Sequence, residues 1–143
     1  MAFRFNPITG GLDTSNAAYS KGTFTPVLAN VATPTYVSQT GSYIKIGQLV
    51  HVWIKIEMSG LDTSDTSGFT IGGLPFTHGI DEALIGVNSY GSSGIGNQGN
   101  ITGAVFTGNT NITLTDATGV FTYADSADAA GVVALAFAYY SST

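Results

Sequence analysis

The chain has 143 residues, enough for one domain that hides roughly 68–70% of its unfolded surface without a covalent staple. It contains no cysteine, which excludes disulfides and thiolate metal sites and fits a reducing compartment. Charged residues are 9% of the chain, against about 25% in ordinary domains, and the net charge is −5. The four cations Arg4, Lys21, Lys45 and Lys55 cannot build a phosphate-neutralising face, so nucleic acid is not an expected partner.

The opening MAFRFNPITGGLD is aromatic and turn-rich, and the DTSNAAYSK that overlaps its end is polar without periodicity. Residues 1–21 therefore read as an N-terminal anchor arm and linker, and residues 22–143 as the folded domain. The arm lacks the apolar core of a secretory signal, and no segment reaches the roughly 18 apolar residues of a membrane span, so no membrane insertion is expected.

From Gly22 the pattern alternates. GTFTPVL predicts a strand, with Pro26 at an edge or break. TYVSQTGSYIKIG predicts a hairpin that turns at Thr40-Gly41, with a second tight turn at Gly47. QLVHVWIKIEM is the clearest strand: Val50, Val52, Ile54, Ile56 and Met58 take alternate positions and predict one buried face. Leu49, His51, Trp53, Lys55 and Glu57 make a mixed, half-covered second face. SGLDTSDTSG reads as a loop, GFTIGGLPF as a short strand stopped by its glycine pair and Pro75, and ALIGVNSY as another strand. GSSGIGNQGN reads as flexible, and NITGAVFTG, NTNITLTDATG and VFTYADSAD as three short segments.

The closing GVVALAFAYY places Val133, Leu135, Phe137 and Tyr139 on one face and Ala134, Ala136 and Ala138 on the other. An alanine face on a strand permits close approach, and so little charge is most simply explained by a large subunit interface. Ala134, Ala136, Ala138, Tyr140 and Trp53 are the candidate interface residues. Turn signals about every ten residues, between segments rich in Thr, Val, Ile and aromatics, predict an all-β fold. The expectation is a jelly-roll-like antiparallel β-sandwich of about eight or nine strands.

The motifs that would carry catalysis or cofactors are weak. GIGNQG at Gly94–Gly99 matches the dinucleotide-loop spacing, but the NITGAVF after it reads as strand, where pyrophosphate binding needs a helix. His51 and His78 have no metal-ligand spacing around them, although His51 would be the residue to hold an axial ion if three copies met on a threefold axis. Asp62 and Asp65 sit in a Ser/Thr-rich loop, Asp81 and Glu82 are adjacent, and Asp125 and Asp128 share a turn. None of these makes the facing pair that glycoside hydrolysis needs. The N-I-T sequons at Asn100 and Asn111 read as chance matches in a chain without an export signal. No catalytic, cofactor or metal residue is assigned.

Three stretches in order, GTFTPVL, TYVSQTGSYIKIGQLVHVWIKI and FTIGGLPF, resemble a domain widespread in virion proteins of tailed phages and prophages. Its pattern is G-T-[WF]-T-P-x-L, then G-x-Y-x-[KR]-I-G-x-x-V, then I-x-G-L-P-F, matched here from Gly22 to about Phe76. The opening FNPITGGLD is similar to the start of phage structural proteins. The resemblance implies a β-sandwich, usually trimeric, in a tail fibre, tailspike or capsid-surface protein, and does not imply catalysis.

The expected protein is therefore a non-enzymatic homotrimeric virion component, assembled in the host cytoplasm. It would be a tail fibre or receptor-binding tip. It would dock on another virion protein through residues 1–20, with Phe3, Arg4, Phe5, Asn6, Pro7 and Ile8 making the contact. A host-surface glycan or protein would meet loops such as 61–68 or 91–100. A capsid decoration protein is the alternative, which the absence of a fibre shaft favours, and a glycan-degrading tailspike is a minor one.

Overall fold

The computed structural model describes residues 4–6, 11–13, 19–30, 34–62, 64–79, 88–91, 101–108, 110–116, 119–120, 122 and 130–142. Twelve strands and no helix occur among them: β1 (Arg4–Asn6), β2 (Gly11–Asp13), β3 (Tyr19–Phe24), β4 (Val27–Ala29), β5 (Thr35–Ile46), β6 (Leu49–Gly60), β7 (Thr70–Gly72), β8 (Asn88–Gly91), β9 (Ile101–Gly108), β10 (Asn111–Asp116), β11 (Gly119–Val120) and β12 (Gly131–Tyr140). The count exceeds the eight or nine expected because the arm pairs with itself as β1 and β2, and because several strands are two or three residues long.

All pairing is antiparallel. One five-stranded sheet runs β3-β5-β6-β12-β8. The other is built on β10, with β9 along one edge and β7 and β11 along the opposite edge, and β4 outside β7. Period-two alternation in β6 and β12 decides which side is core. Val50, Val52, Ile54 and Ile56 stand opposite Tyr139, Phe137, Leu135 and Val133, and all eight are buried. Leu28, Ile71, Ile112 and Leu114 of the second sheet join the same apolar cluster, so the two sheets face each other across one core. Burying each such side chain stabilises the fold by about 1.5–3 kcal/mol.

Two local expectations change. Thr40-Gly41 is not a turn: β5 runs unbroken from Thr35 to Ile46, and the chain reverses at Gly47-Gln48, where Gly47 has φ +60°. Gly41 lies inside the strand because the Phe24 ring of β3 lies on it; a Cβ there would meet three ring atoms at 2.7–2.8 Å. Glycine in a strand interior marks such close approaches.

The second change is a bulge. Tyr36 pairs with Met58 and Ser38 with Glu57, leaving Val37 as an extra residue, 60% exposed. The bulge transfers the inward face from odd positions (Gln39, Gly41, Tyr43) to Tyr36, whose hydroxyl accepts a 2.7 Å hydrogen bond from the Leu28 amide in the other sheet.

Pro26 marks a break rather than an edge. Between Phe24 and Val27 the chain leaves the first sheet and enters the second, and Pro26 is fully buried at the crossing. The Gln39 amide donates to the Pro26 carbonyl at 2.8 Å. Pairing begins at Tyr19, three residues before Gly22, with Tyr19, Ser20 and Lys21 opposite Ile46, Lys45 and Ile44.

Candidate interaction face

The three resemblance motifs meet in space. Tyr43 lies over Gly22 as Phe24 lies over Gly41, two reciprocal aromatic–glycine pairs across β3 and β5. The Tyr43 ring meets Phe76 edge-on (centroids 5.1 Å, 88°), and the Lys45 ammonium sits 5.1 Å above the Phe76 ring. Tyr139 fixes Phe76 from the last strand: its hydroxyl donates to the Phe76 carbonyl at 2.9 Å and accepts from the Phe76 amide at 3.2 Å. Burial pushes the Tyr139 pKa up from 10.0 to about 12, against the opposing effect of its backbone bond at Phe76. Gly73 (φ +79°) passes so close to the crossing that a Cβ would come within 2.7 Å of the Thr25 carbonyl oxygen. These residues lock the two sheets together, so the spacing of the motifs has a packing cause.

The outer face of the β3-β5-β6-β12 sheet is different. Register places its residues in rows across the strands. The first row is Tyr19, Ile46, Leu49 and Tyr140, which are 52%, 52%, 41% and 49% exposed. Four large apolar side chains thus stand in one line about 14 Å long, three inter-strand spacings. The next row is Lys21, Ile44, His51 and Ala138, and the one after it Thr23, Ser42, Trp53 and Ala136. The fourth brings together Thr40, Lys55 and Ala134.

All five residues expected at an interface, Ala134, Ala136, Ala138, Tyr140 and Trp53, therefore share this face. Tyr19, Ile46 and Leu49 are absent from that set. The signal for them is the Gly47 turn, which sets Ile46 against Leu49, and the pairing of the supposed linker with β5.

His51 sits within the face, its ring 4.3 Å from that of Trp53 and tilted by 46°. Its Nδ1 is buried and makes no hydrogen bond. The other histidine, His78, bridges to Ser141 where residues 77–79 pair with the chain's last described residues. Among the described residues no three His, Asp or Glu side chains are grouped to hold a metal ion.

The arm's Arg4, Phe5 and Asn6 form β1 opposite Asp13, Leu12 and Gly11, and these two strands pair with each other alone among the described residues. Phe3, Pro7 and Ile8 lie outside the described residues, as do Asp81, Glu82, Asp125, Asp128 and the GIGNQG stretch; the next described element after that stretch is strand β9. In the 61–68 loop the Asp62 carboxylate accepts from the Ser64 hydroxyl (2.6 Å) and amide (2.9 Å), and Asp65 accepts from the Ser67 amide (2.8 Å). The Ser64 bonds hold the Asp62 pKa below the ordinary carboxylate value. Both carboxylates thus serve to shape the loop.

Family models, curated proteins and solved structures were compared with this chain. None matches. The outer sheet face, the arm and the motif spacing are therefore the grounds on which function is read.

Proposed function

We propose that the chain is a non-enzymatic structural protein of a tailed-phage particle. It folds as a jelly-roll-like sandwich, assembles as a homotrimer in the host cytoplasm, and serves in the virion as a tail fibre or receptor-binding tip. The observation that carries the reading is the exposed row Tyr19, Ile46, Leu49 and Tyr140. Lone exposed apolar residues are ordinary, but a contiguous line of four on one sheet face, in a chain with 9% charged residues, marks a contact surface. A neighbouring copy covering that row and Ala138 beside it would bury aromatic and aliphatic area with little charge to desolvate.

The arm has a separate role. A two-stranded ribbon of three-residue strands is marginal in water. Docked on another virion protein it would gain packing, with Phe3, Arg4 and Phe5 in the contact and Asn6, Pro7 and Ile8 completing the docking arm. The test is removal of residues 1–18, which stops short of the β3 pairing at Tyr19. The shortened protein is expected to fold and associate as the full chain does but to be missing from purified particles. Normal incorporation without the arm would contradict the docking role.

A further inference from the structure

Beyond the apolar row, the outer sheet face changes character. A depression of about 440 Å³, within the rough 300–1,000 Å³ range of small-molecule sites, opens beside Trp53. Thr23, Thr40 and Ser42, all exposed, bring three hydroxyls to it from β3 and β5. Ala134 and Ala136 of β12 leave room on the other side of the indole. His51 packs on Trp53 yet does not line the depression, so it steadies the ring from the side away from it. Lys55 reaches the rim, and its ammonium lies 3.6 Å from the Glu57 carboxylate, which screens part of its charge.

We infer that this depression binds a neutral hexopyranose unit of an oligo- or polysaccharide. A pyranose has a C–H face that packs on an indole and a rim of hydroxyls that exchange hydrogen bonds with Ser and Thr. Trp53 offers the flat apolar surface, and the row Thr23–Ser42 offers donors and acceptors at its edge. The flat floor comes from strand alternation: Gly41, Ile54 and Leu135 line it with backbone, because their side chains belong to the opposite face. Three hydroxyls against one ammonium shared with Glu57 favour an uncharged sugar over a uronic acid. This places glycan contact on the sheet face, where the 61–68 and 91–100 loops were expected to provide it. The biological sense of the site rests on the receptor-binding reading, but its chemistry is testable on the purified chain alone.

Trp53 is the chain's single tryptophan, so its emission reports on this site. Cellohexaose, maltohexaose, β-1,4-galactan fragments and an anionic oligogalacturonide would be titrated into the full chain, with calorimetry in parallel. A saturable emission change with at least one neutral oligosaccharide is expected. Thr23→Val with Ser42→Ala keeps the reporter and should weaken binding about tenfold; Trp53→Ala should remove it by calorimetry. No saturable response to any neutral probe, tighter binding of the oligogalacturonide, or unchanged affinity in both variants would overturn the inference. Emission that tracks protein concentration and ignores sugar would also overturn it, assigning the depression to a subunit contact. Because particle incorporation is read on virions, that proposal can fail while this one stands, and the reverse.

Discussion

Residue by residue, glycine and tyrosine carry the sharpest consequences. Gly41→Ala places a Cβ 2.7–2.8 Å from the Phe24 ring, an overpacking expected to cost about 1–3 kcal/mol in urea unfolding. In the Phe24→Ala background the same change should cost much less, since the ring is what it strikes. Gly73→Ala should be worse, because the obstacle is the Thr25 carbonyl and the backbone itself is left-handed. Tyr139 gives a pH signature. The folded chain holds its phenolic proton more tightly than the unfolded chain does, since the pKa rises from 10.0 to about 12. Its contribution is complete below pH 10 and is lost as pH rises towards 12. Tyr139→Phe should lower stability at neutral pH, because it removes both bonds to the Phe76 backbone, and should flatten the alkaline fall. The spacing G-T-F and G-S-Y is visible in the sequence, but there Gly41 reads as a turn residue and Gly22 as the start of a strand. Only cross-strand register shows that each lies beneath an aromatic ring.

Among the elements, β6 and β12 were legible because each buries one face, and period-two alternation is the direct imprint of that burial. Ile56→Ala, at a fully buried site, should cost about 2–5 kcal/mol. β5 was less legible, because a bulge exchanges its inward positions and erases a single alternating pattern. Deleting Val37 would remove the bulge and leave Tyr36 opposite Met58 on the inward face, so its bond to Leu28 should survive. Val37→Thr, at an exposed position, should stay within about 0.5 kcal/mol in thermal unfolding. Strands β4 and β11 are too short for periodicity to mark. β7 lies within GFTIGGLPF, whose glycine pair and Pro75 marked a short strand, although Thr70, Ile71 and Gly72 are all buried and show no alternation.

At the scale of the whole molecule, two sheets share one core, and the face turned away from it combines an apolar row with a hydroxyl-lined depression beside Trp53. From a composition with 9% charged residues, a surface reserved for a partner was expected. The surface proposed for that role rests on the register of four strands. Leu49→Thr together with Tyr140→Thr should lower the melting temperature only modestly, because each side chain is about half exposed and threonine suits a strand. The same pair should abolish association in light scattering, where the unaltered chain is expected as a trimer. The central claim is a place in a virion, and the most direct measurement is the number of copies per purified phage particle by quantitative mass spectrometry. A small multiple of three is the predicted result. Hundreds of copies would contradict the tail position and move the protein to the capsid surface, and absence from the particle would contradict a virion role altogether.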